Sequence, residues 1–113
     1  MDHLSFAVQR ELREVMEADY GLLLDSFIQD SSERLLQLQH ACNALDASAL
    51  RAAAHSFKGS CSNLGALQMA ELCRQIEVLA AQGQAQVQAQ LVLLEQAFEQ
   101  VKPLLEQARI ELS

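Results

Sequence analysis

The sequence has no tryptophan, only one proline and four glycines, and an aromatic content of 4%. So few turn-forming residues exclude a chain dominated by tight turns, and the shortage of β-branched residues argues against a large sheet. Ala, Leu, Gln and Glu dominate instead, and 50% of the residues are hydrophobic. This composition predicts an all-α protein with an aliphatic core.

Basic residues are also scarce, because 8 Lys and Arg face 15 Asp and Glu and give a formal net charge of −7. A nucleic-acid ligand is therefore not expected, since phosphate binding requires a basic surface. No apolar run approaches the roughly 20 residues of a membrane span, and the N-terminus lacks the pattern of a secretory signal. We expect no membrane association and a cytoplasmic location. Residues 1–113 are expected to form one domain, and the termini at Met1 and Ser113 favour a complete small protein.

The three cysteines are an odd number without a C-x-x-C pair, so they do not suggest a disulfide framework. Each is predicted to be a small core residue at an apolar helical position: Cys42, Cys61 and Cys73. A zinc site that includes His40 or His55 is an alternative, although the sequence lacks a close-spaced pair of ligands. His40 and His3 are predicted to lie on the surface.

Apolar residues recur at intervals of three and four along five segments, which predicts five amphipathic helices. The first runs from Leu4 to about Met16, with its apolar face formed by Leu4, Ala7 or Val8, Leu12 and Val15. Asp19 is the predicted N-cap of a long second helix. The apolar stripe of this helix extends from Tyr20 to Leu45.

The third helix is predicted to begin at Asp46 or Ser48 and to end at Gly65, which can adopt the left-handed conformation common after a helix. A fourth pattern starts at Leu67 and ends at Gly83. The last runs from Val87 to Leu112 and contains Pro103, where a kink rather than an end is expected because the apolar register continues. The Gln-rich patch from Gln82 to Gln90 is interpreted as the start of this helix.

These segments predict an antiparallel four-helix bundle with a short additional N-terminal helix across one end. The short turn at Gly65 makes the third and fourth helices an antiparallel pair. An acidic bundle with no spare apolar stripe is expected to be a monomer. The fold alone identifies no activity.

The third helix divides into an apolar face and a face that carries His55. The apolar face has Leu50, Ala53, Phe57, Cys61 and Leu64, with Ala54 and Ser60 at its margins. His55 falls nearly opposite, flanked by Arg51, Lys58, Gly59 and Ser62. The pattern therefore predicts an imidazole in water, beside cations that repel a metal ion and attract an anion attached to the ring.

Gly59 lies one turn after His55, where glycine costs about 0.5–1 kcal/mol relative to alanine. Its lack of a Cβ leaves room for a bulky partner to approach the ring. An exposed, cation-flanked and accessible nucleophile is suited to phosphoryl transfer between two proteins.

The chain resembles the histidine-containing phosphotransfer (HPt) domain family over residues 46–83. The matching residues are Ala54-His55-Ser56-Phe57-Lys58-Gly59, Leu64-Gly65-Ala66, Leu72-Cys73 and Ile76-Glu77. The flanking helices match the family in length and periodicity only.

The resemblance implies that His55 takes a phosphoryl group on Nε2 from a receiver-domain aspartate of a hybrid sensor kinase and passes it to a response regulator. It also implies that Lys58 offsets part of the added charge, Gly59 admits the receiver and Glu77 accepts a hydrogen bond from Nδ1. Glu77 could instead be a simple rim carboxylate, and Arg51 could pair with an acid on the second helix. Nearby residues assigned to docking are Ser48, Arg51, Ala52, Ser62 and Asn63.

The sequence shows no nucleotide-binding motif, so the protein is not expected to be an ATP-dependent kinase or to hold a cofactor. Mg²⁺ is expected at the partner receiver domain. Three alternatives stay open: the phosphorylatable N-terminal domain of a chemotaxis-type histidine kinase, a non-phosphorylated helical adaptor and the metal-binding bundle.

Overall fold

The computed structural model describes residues 3–111, and these residues form five α-helices and no strand. The helices are α1 (Phe6–Met16), α2 (Tyr20–Asn43), α3 (Ala47–Leu64), α4 (Leu67–Ala81) and α5 (Gln88–Glu111). A 3-10 turn, Glu17–Asp19, joins α1 to α2. None of the described helices is long and apolar enough to span a membrane. Leu112, the last predicted apolar residue of α5, lies outside the described residues.

Helices α2 to α5 form an antiparallel four-helix bundle, as predicted. Each helix packs against two neighbours, and the closest association is between α3 and α4. The short helix α1 packs against α2 and α3 at one end of the bundle. The core is aliphatic with a few rings, and its largest fully buried side chains include Tyr20, Phe57, Leu24, Leu38, Leu50, Met69 and Ile76. Each such side chain contributes roughly 1.5–3 kcal/mol through burial.

The end of α3 is fixed by Gly65, which has a φ of 85°. The Gly65 N–H bonds to the Ser62 carbonyl and the Ala66 N–H to the Cys61 carbonyl, at 3.1 and 2.9 Å. The N-terminal segment packs directly on this turn, because a Cβ added to Gly65 would lie 2.8 Å from the Cβ of Val8. The predicted helix end is confirmed, and close packing adds a second reason for glycine.

The predicted apolar face of α1 is partly wrong. Val15 is 78% exposed, whereas Gln9 is buried. The Gln9 amide donates to the carbonyl of Leu64 at the end of α3 and accepts from the Tyr20 hydroxyl. A polar residue therefore faces the bundle here because it satisfies polar groups at a buried helix end.

The predicted start of α2 is confirmed in position, since Asp19 directly precedes Tyr20, but the capping bond and the far end of the apolar stripe differ from the prediction. Asp19 makes no side-chain capping bond, because its backbone is helical and the 3-10 turn continues directly into α2. At the other end α2 stops at Asn43, and Leu45 is 61% exposed with a φ of 53°. The chain has left the helix there through a left-handed turn, so Leu45 cannot continue the buried stripe.

Helix α3 begins at the predicted cap, since the Asp46 carboxylate accepts from the Ala49 N–H at 3.0 Å. Its buried stripe is rotated slightly from the predicted one, because Ala54 is fully buried and Ala53 only partly.

The connection from α4 to α5 differs from the prediction for the Gln-rich patch. Gly83, with a φ of 80°, follows the end of α4, and residues 84–87 form a connection without regular structure. Of the Gln-rich patch, only Gln88 to Gln90 belong to α5. Helix α5 then continues through Pro103, so the proline does not end it. Pro103 is exposed, where water can satisfy the carbonyl that lacks its usual donor.

Candidate functional site

His55 projects from the outer side of α3, as the sequence predicted. Its side chain is 69% exposed, while Ala54 and Phe57 on either side of it are fully buried. The core contacts of α3 therefore fix the helix rotation that places the imidazole in solvent. A ring in this position is accessible to another macromolecule but has no enclosing pocket of its own.

Glu77 on α4 orients the imidazole. Its Oε1 lies 2.8 Å from His55 Nδ1. An ionised carboxylate can only accept a hydrogen bond, so Nδ1 carries the proton and Nε2 of the neutral ring has its lone pair available. Glu77 is 19% exposed, so the carboxylate is partly buried where it meets the histidine.

Lys58 completes a three-residue chain on the same side of His55. Its Nζ donates to Glu77 Oε2 at 2.6 Å, so one carboxylate holds both the imidazole and the ammonium group. The hydrogen bonds from Lys58 and then from His55 lower the pKa of Glu77 below its usual value. The carboxylate is therefore ionised at neutral pH, and its negative charge balances the positive charge of Lys58.

Gly59 leaves an open surface one turn beyond the histidine. A Cβ added there would have no atom within 4 Å, so no contact inside the described chain requires glycine. The glycine also lies in regular helix rather than in a turn. The clearance predicted from the sequence is present.

The five residues predicted to take part in docking are all exposed on α3: Ser48, Arg51, Ala52, Ser62 and Asn63. Ser62 borders a shallow depression with Lys58 and Leu67. Leu67, the first residue of the predicted fourth apolar pattern, is 38% exposed at the start of α4. Arg51 forms no ion pair within residues 3–111, so the alternative pairing with an acid of α2 is not observed.

Arg34 of α2 is a neighbour of this face that sequence reasoning missed. Its Nη1 donates to the Ser56 hydroxyl at 2.8 Å, and its guanidinium carbon lies 5.8 Å from the centre of the Phe57 ring. The contact joins residues 22 positions apart, and no local pattern indicates which side chain of α2 faces Ser56.

The cysteines are all buried, as predicted for core residues: Cys42, Cys61 and Cys73. A hydrogen bond with Cys73 and burial together raise the pKa of the Cys61 thiol. No group of three or more His, Cys, Asp and Glu residues within positions 3–111 is arranged to hold a metal ion. His40 is exposed, in agreement with its prediction.

A broad concavity of about 930 Å³ lies away from this site, between α1 and the end of α5. None of the residues around His55 lines it. His3 does line it and is partly exposed there. The exposed histidine and this concavity are thus separate features, which is consistent with a protein surface rather than a small molecule as the ligand of His55.

Comparison with known proteins identifies the family. The sequence model of the Hpt domain matches residues 22–110, which include the whole of α3 and α4. The chain therefore belongs to the Hpt domain family, whose members are histidine phosphotransfer modules rather than kinases and interact with receiver domains.

The structure is also similar to the crystal structure of histidine-containing phosphotransfer protein B (HptB) from Pseudomonas aeruginosa PAO1. The two share 44% sequence identity, 96% of each chain is covered and the TM-score is 0.94. This similarity includes α1, which lies outside the family match. A search of curated proteins gave no match.

Proposed function

We propose that the chain is a phosphorelay intermediate in which His55 carries the phosphoryl group. The donor is the phosphorylated aspartate of a receiver domain in a hybrid sensor kinase, and the acceptor is a response-regulator aspartate. The observation that carries this proposal is the exposed imidazole whose Nδ1 is bound to Glu77 at 2.8 Å. Membership of the Hpt domain family supports it.

The geometry suggests how transfer proceeds. The lone pair of Nε2 attacks phosphorus, an N–P bond forms, and the P–O bond to the donor breaks so that aspartate leaves as a carboxylate. The proton stays on Nδ1, and the ring becomes a cation that Glu77 stabilises as the charge develops. In the second step the N–P bond breaks, the acceptor carboxylate gains the phosphoryl group and the ring returns to its neutral form.

Lys58 and Gly59 have different roles in this mechanism. Phosphorylation adds a group with a charge of about −2, and Lys58 lies beside the imidazole, where it can be shared between Glu77 and the new anion. Gly59 gives the receiver space above the turn that follows His55. The chain needs no cofactor of its own in this scheme, because Mg²⁺ belongs to the acidic site of the receiver. We place the protein in the cytoplasm with these partners and expect a monomer.

The test is a panel of phosphorylated receiver domains incubated with the purified chain and with His55→Ala. We expect at least one receiver to label the wild-type chain with an acid-labile, base-stable phosphate. His55→Ala should remain helical by circular dichroism and take up no label. Labelling of the mutant at the wild-type rate would refute the assignment of His55.

A second candidate is the phosphorylatable domain of a chemotaxis-type kinase. This candidate is favoured by the presence of a carboxylate, Glu77, rather than a neutral side chain at position 77. That function requires labelling by ATP and a kinase catalytic domain, so the same assay with this donor distinguishes the two. An adaptor that is never phosphorylated would bind its partner equally well after His55→Gln.

A further inference from the structure

Arg34 is held beside the histidine face by neutral groups alone. It crosses from α2 to α3, where its Nη1 donates to Ser56 Oγ at 2.8 Å and the guanidinium lies over the ring of Phe57. Ser56 directly follows His55 in the chain. Both Arg34 and Ser56 are at least partly exposed, so the remaining N–H groups of the guanidinium are available from solvent.

No carboxylate within the described residues balances the charge of Arg34. Asp30, one turn earlier on α2, does not come within ion-pair distance of it. Lys58 differs, because its ammonium group lies 2.6 Å from Glu77. In a chain of net charge −7, Arg34 therefore presents an uncompensated positive charge near the proposed phosphoryl acceptor.

The two sides of His55 are consequently unlike. On the side towards α4, the imidazole, Glu77 and Lys58 already form a closed set of contacts. The exposed Arg51 is also on this side, but it has no hydrogen bond or ring contact within residues 3–111 that would orient it. On the side towards α2, helical geometry places Ala52, Gly59 and Ser56, which are small and exposed. Arg34 borders this side of small residues, and its guanidinium is the group there that can bind an anionic surface.

We propose that Arg34 is a docking residue that binds a carboxylate on the incoming receiver domain, so that the receiver approaches His55 from the α2 side. This inference rests on the proposed function and adds a direction of approach to it. The planar guanidinium matches a carboxylate through two parallel hydrogen bonds, and the contacts with Ser56 and Phe57 orient it before the partner arrives. Such preorganisation lowers the entropic cost of docking.

The experiment measures the second-order rate of phosphoryl transfer from the receiver that labels the wild-type chain fastest, over a range of NaCl concentrations. Arg34→Gln should lower this rate about tenfold at low salt and reduce its dependence on salt, because a steering charge at the rim of the interface has been lost. Ser56→Ala leaves the charge of Arg34 in place but removes the hydrogen bond that orients it, so the transfer rate should fall about threefold.

Lys102→Gln is the control for the loss of one positive charge. Lys102 also lies over a phenylalanine ring, 5.4 Å from the centre of Phe98, and its ammonium group is 4.0 Å from Glu99 Oε1. It is on α5, which does not contact α3. Its substitution should leave both the rate and the salt dependence at wild-type values. An equal fall in Lys102→Gln and Arg34→Gln would show an effect of net charge and would overturn the proposal.

A small donor separates docking from chemistry at the imidazole. Phosphoramidate should label Arg34→Gln and the wild-type chain equally fast, and the two phosphorylated proteins should lose phosphate at the same rate. Slower labelling by phosphoramidate, a changed rate of phosphate loss, or transfer from the receiver at the wild-type rate would each contradict a docking role for Arg34. If phosphoramidate and every receiver fail to label the wild-type chain at His55, the proposed function itself is wrong.

Discussion

Gly59 and Gly65 lie six residues apart in and just after α3, but only one of them is required by the fold. Gly65 has a φ of 85°, and a Cβ there would lie 2.8 Å from the Cβ of Val8. Gly59 lies in regular helix, and a Cβ there would meet nothing within 4 Å. Glycine at position 59 thus costs about 0.5–1 kcal/mol of stability without an internal reason, which points to a partner outside the chain.

The sharpest test of this contrast is Gly65→Ala. A left-handed backbone costs a non-glycine residue roughly 1–2 kcal/mol, and displacement of Val8 adds an overpacking cost of similar size. We expect the free energy of unfolding, measured in urea, to fall by roughly 2–4 kcal/mol.

Gly83→Ala provides the matched control, since Gly83 has a φ of 80° but no atom within 4 Å of a Cβ. It should lose roughly 1–2 kcal/mol, the backbone contribution alone. Equal losses at the two positions would show that the contact with Val8 is not tight.

Substitutions at Gly59 should not destabilise the fold, but a large side chain there should slow transfer. Gly59→Ala should raise the free energy of unfolding by about 0.5–1 kcal/mol. Gly59→Leu should fold but slow transfer from a phosphorylated receiver about tenfold, since helical side chains lean towards the preceding turn and this one would cover His55. The measurement is the transfer rate beside a urea titration. A Gly59→Leu protein that transfers at the wild-type rate would remove the clearance role.

Glu77→Gln tests whether the polar contacts on this face also contribute to stability. The folded-state pKa of Glu77 is lowered, so its contribution is present above the pKa of the unfolded chain and is lost as pH falls through the folded-state pKa. The wild-type protein should therefore be more stable than Glu77→Gln at pH 7, and the difference should shrink towards pH 3 in urea titrations.

Glu95→Gln removes a carboxylate from the exposed side of α5, where it has no ion pair with any residue in 3–111, and controls for the loss of one charge. A difference for Glu77→Gln that stays constant with pH would show that its contribution does not depend on ionisation.

A similarly small effect is expected at Leu45, which ends α2 with the left-handed geometry that Gly65 provides at the end of α3. Leu45→Gly should increase the free energy of unfolding by about 0.5–1 kcal/mol, because the strain of a side chain at positive φ is relieved. Leu45→Ala removes the exposed side chain but keeps the strain, so it should change little. A gain of equal size in both variants would assign the effect to the exposed leucine instead.

The features that follow from local spacing could be predicted from the sequence. Apolar residues three and four apart defined the helices, and the same periodicity indicated that His55 faces solvent while Phe57 faces the core. Asp46 and Gly65 act on backbone groups within a few residues of themselves, so their roles at the ends of α3 were also predictable. The position of Glu77 required the family resemblance, because it depends on how α4 lies against α3.

Features that depend on contacts between distant segments could not be predicted. Gln9 is buried because it reaches the end of α3, whereas Val15 on the same helix is exposed. Arg34 on α2 contacts Ser56 on α3, and the spacing of residues in the sequence does not indicate this contact. Asp19 is a residue type that often caps helices, but the 3-10 turn gives it a helical backbone, and its side chain makes no capping hydrogen bond.

All three cysteines are buried, so thiol reagents should react slowly with the folded protein. A single cysteine introduced at the exposed position of Asn63, two turns from His55, would therefore accept a maleimide fluorophore selectively in the folded state. The emission of that dye would follow the arrival and departure of a receiver in real time, independently of whether phosphate moves.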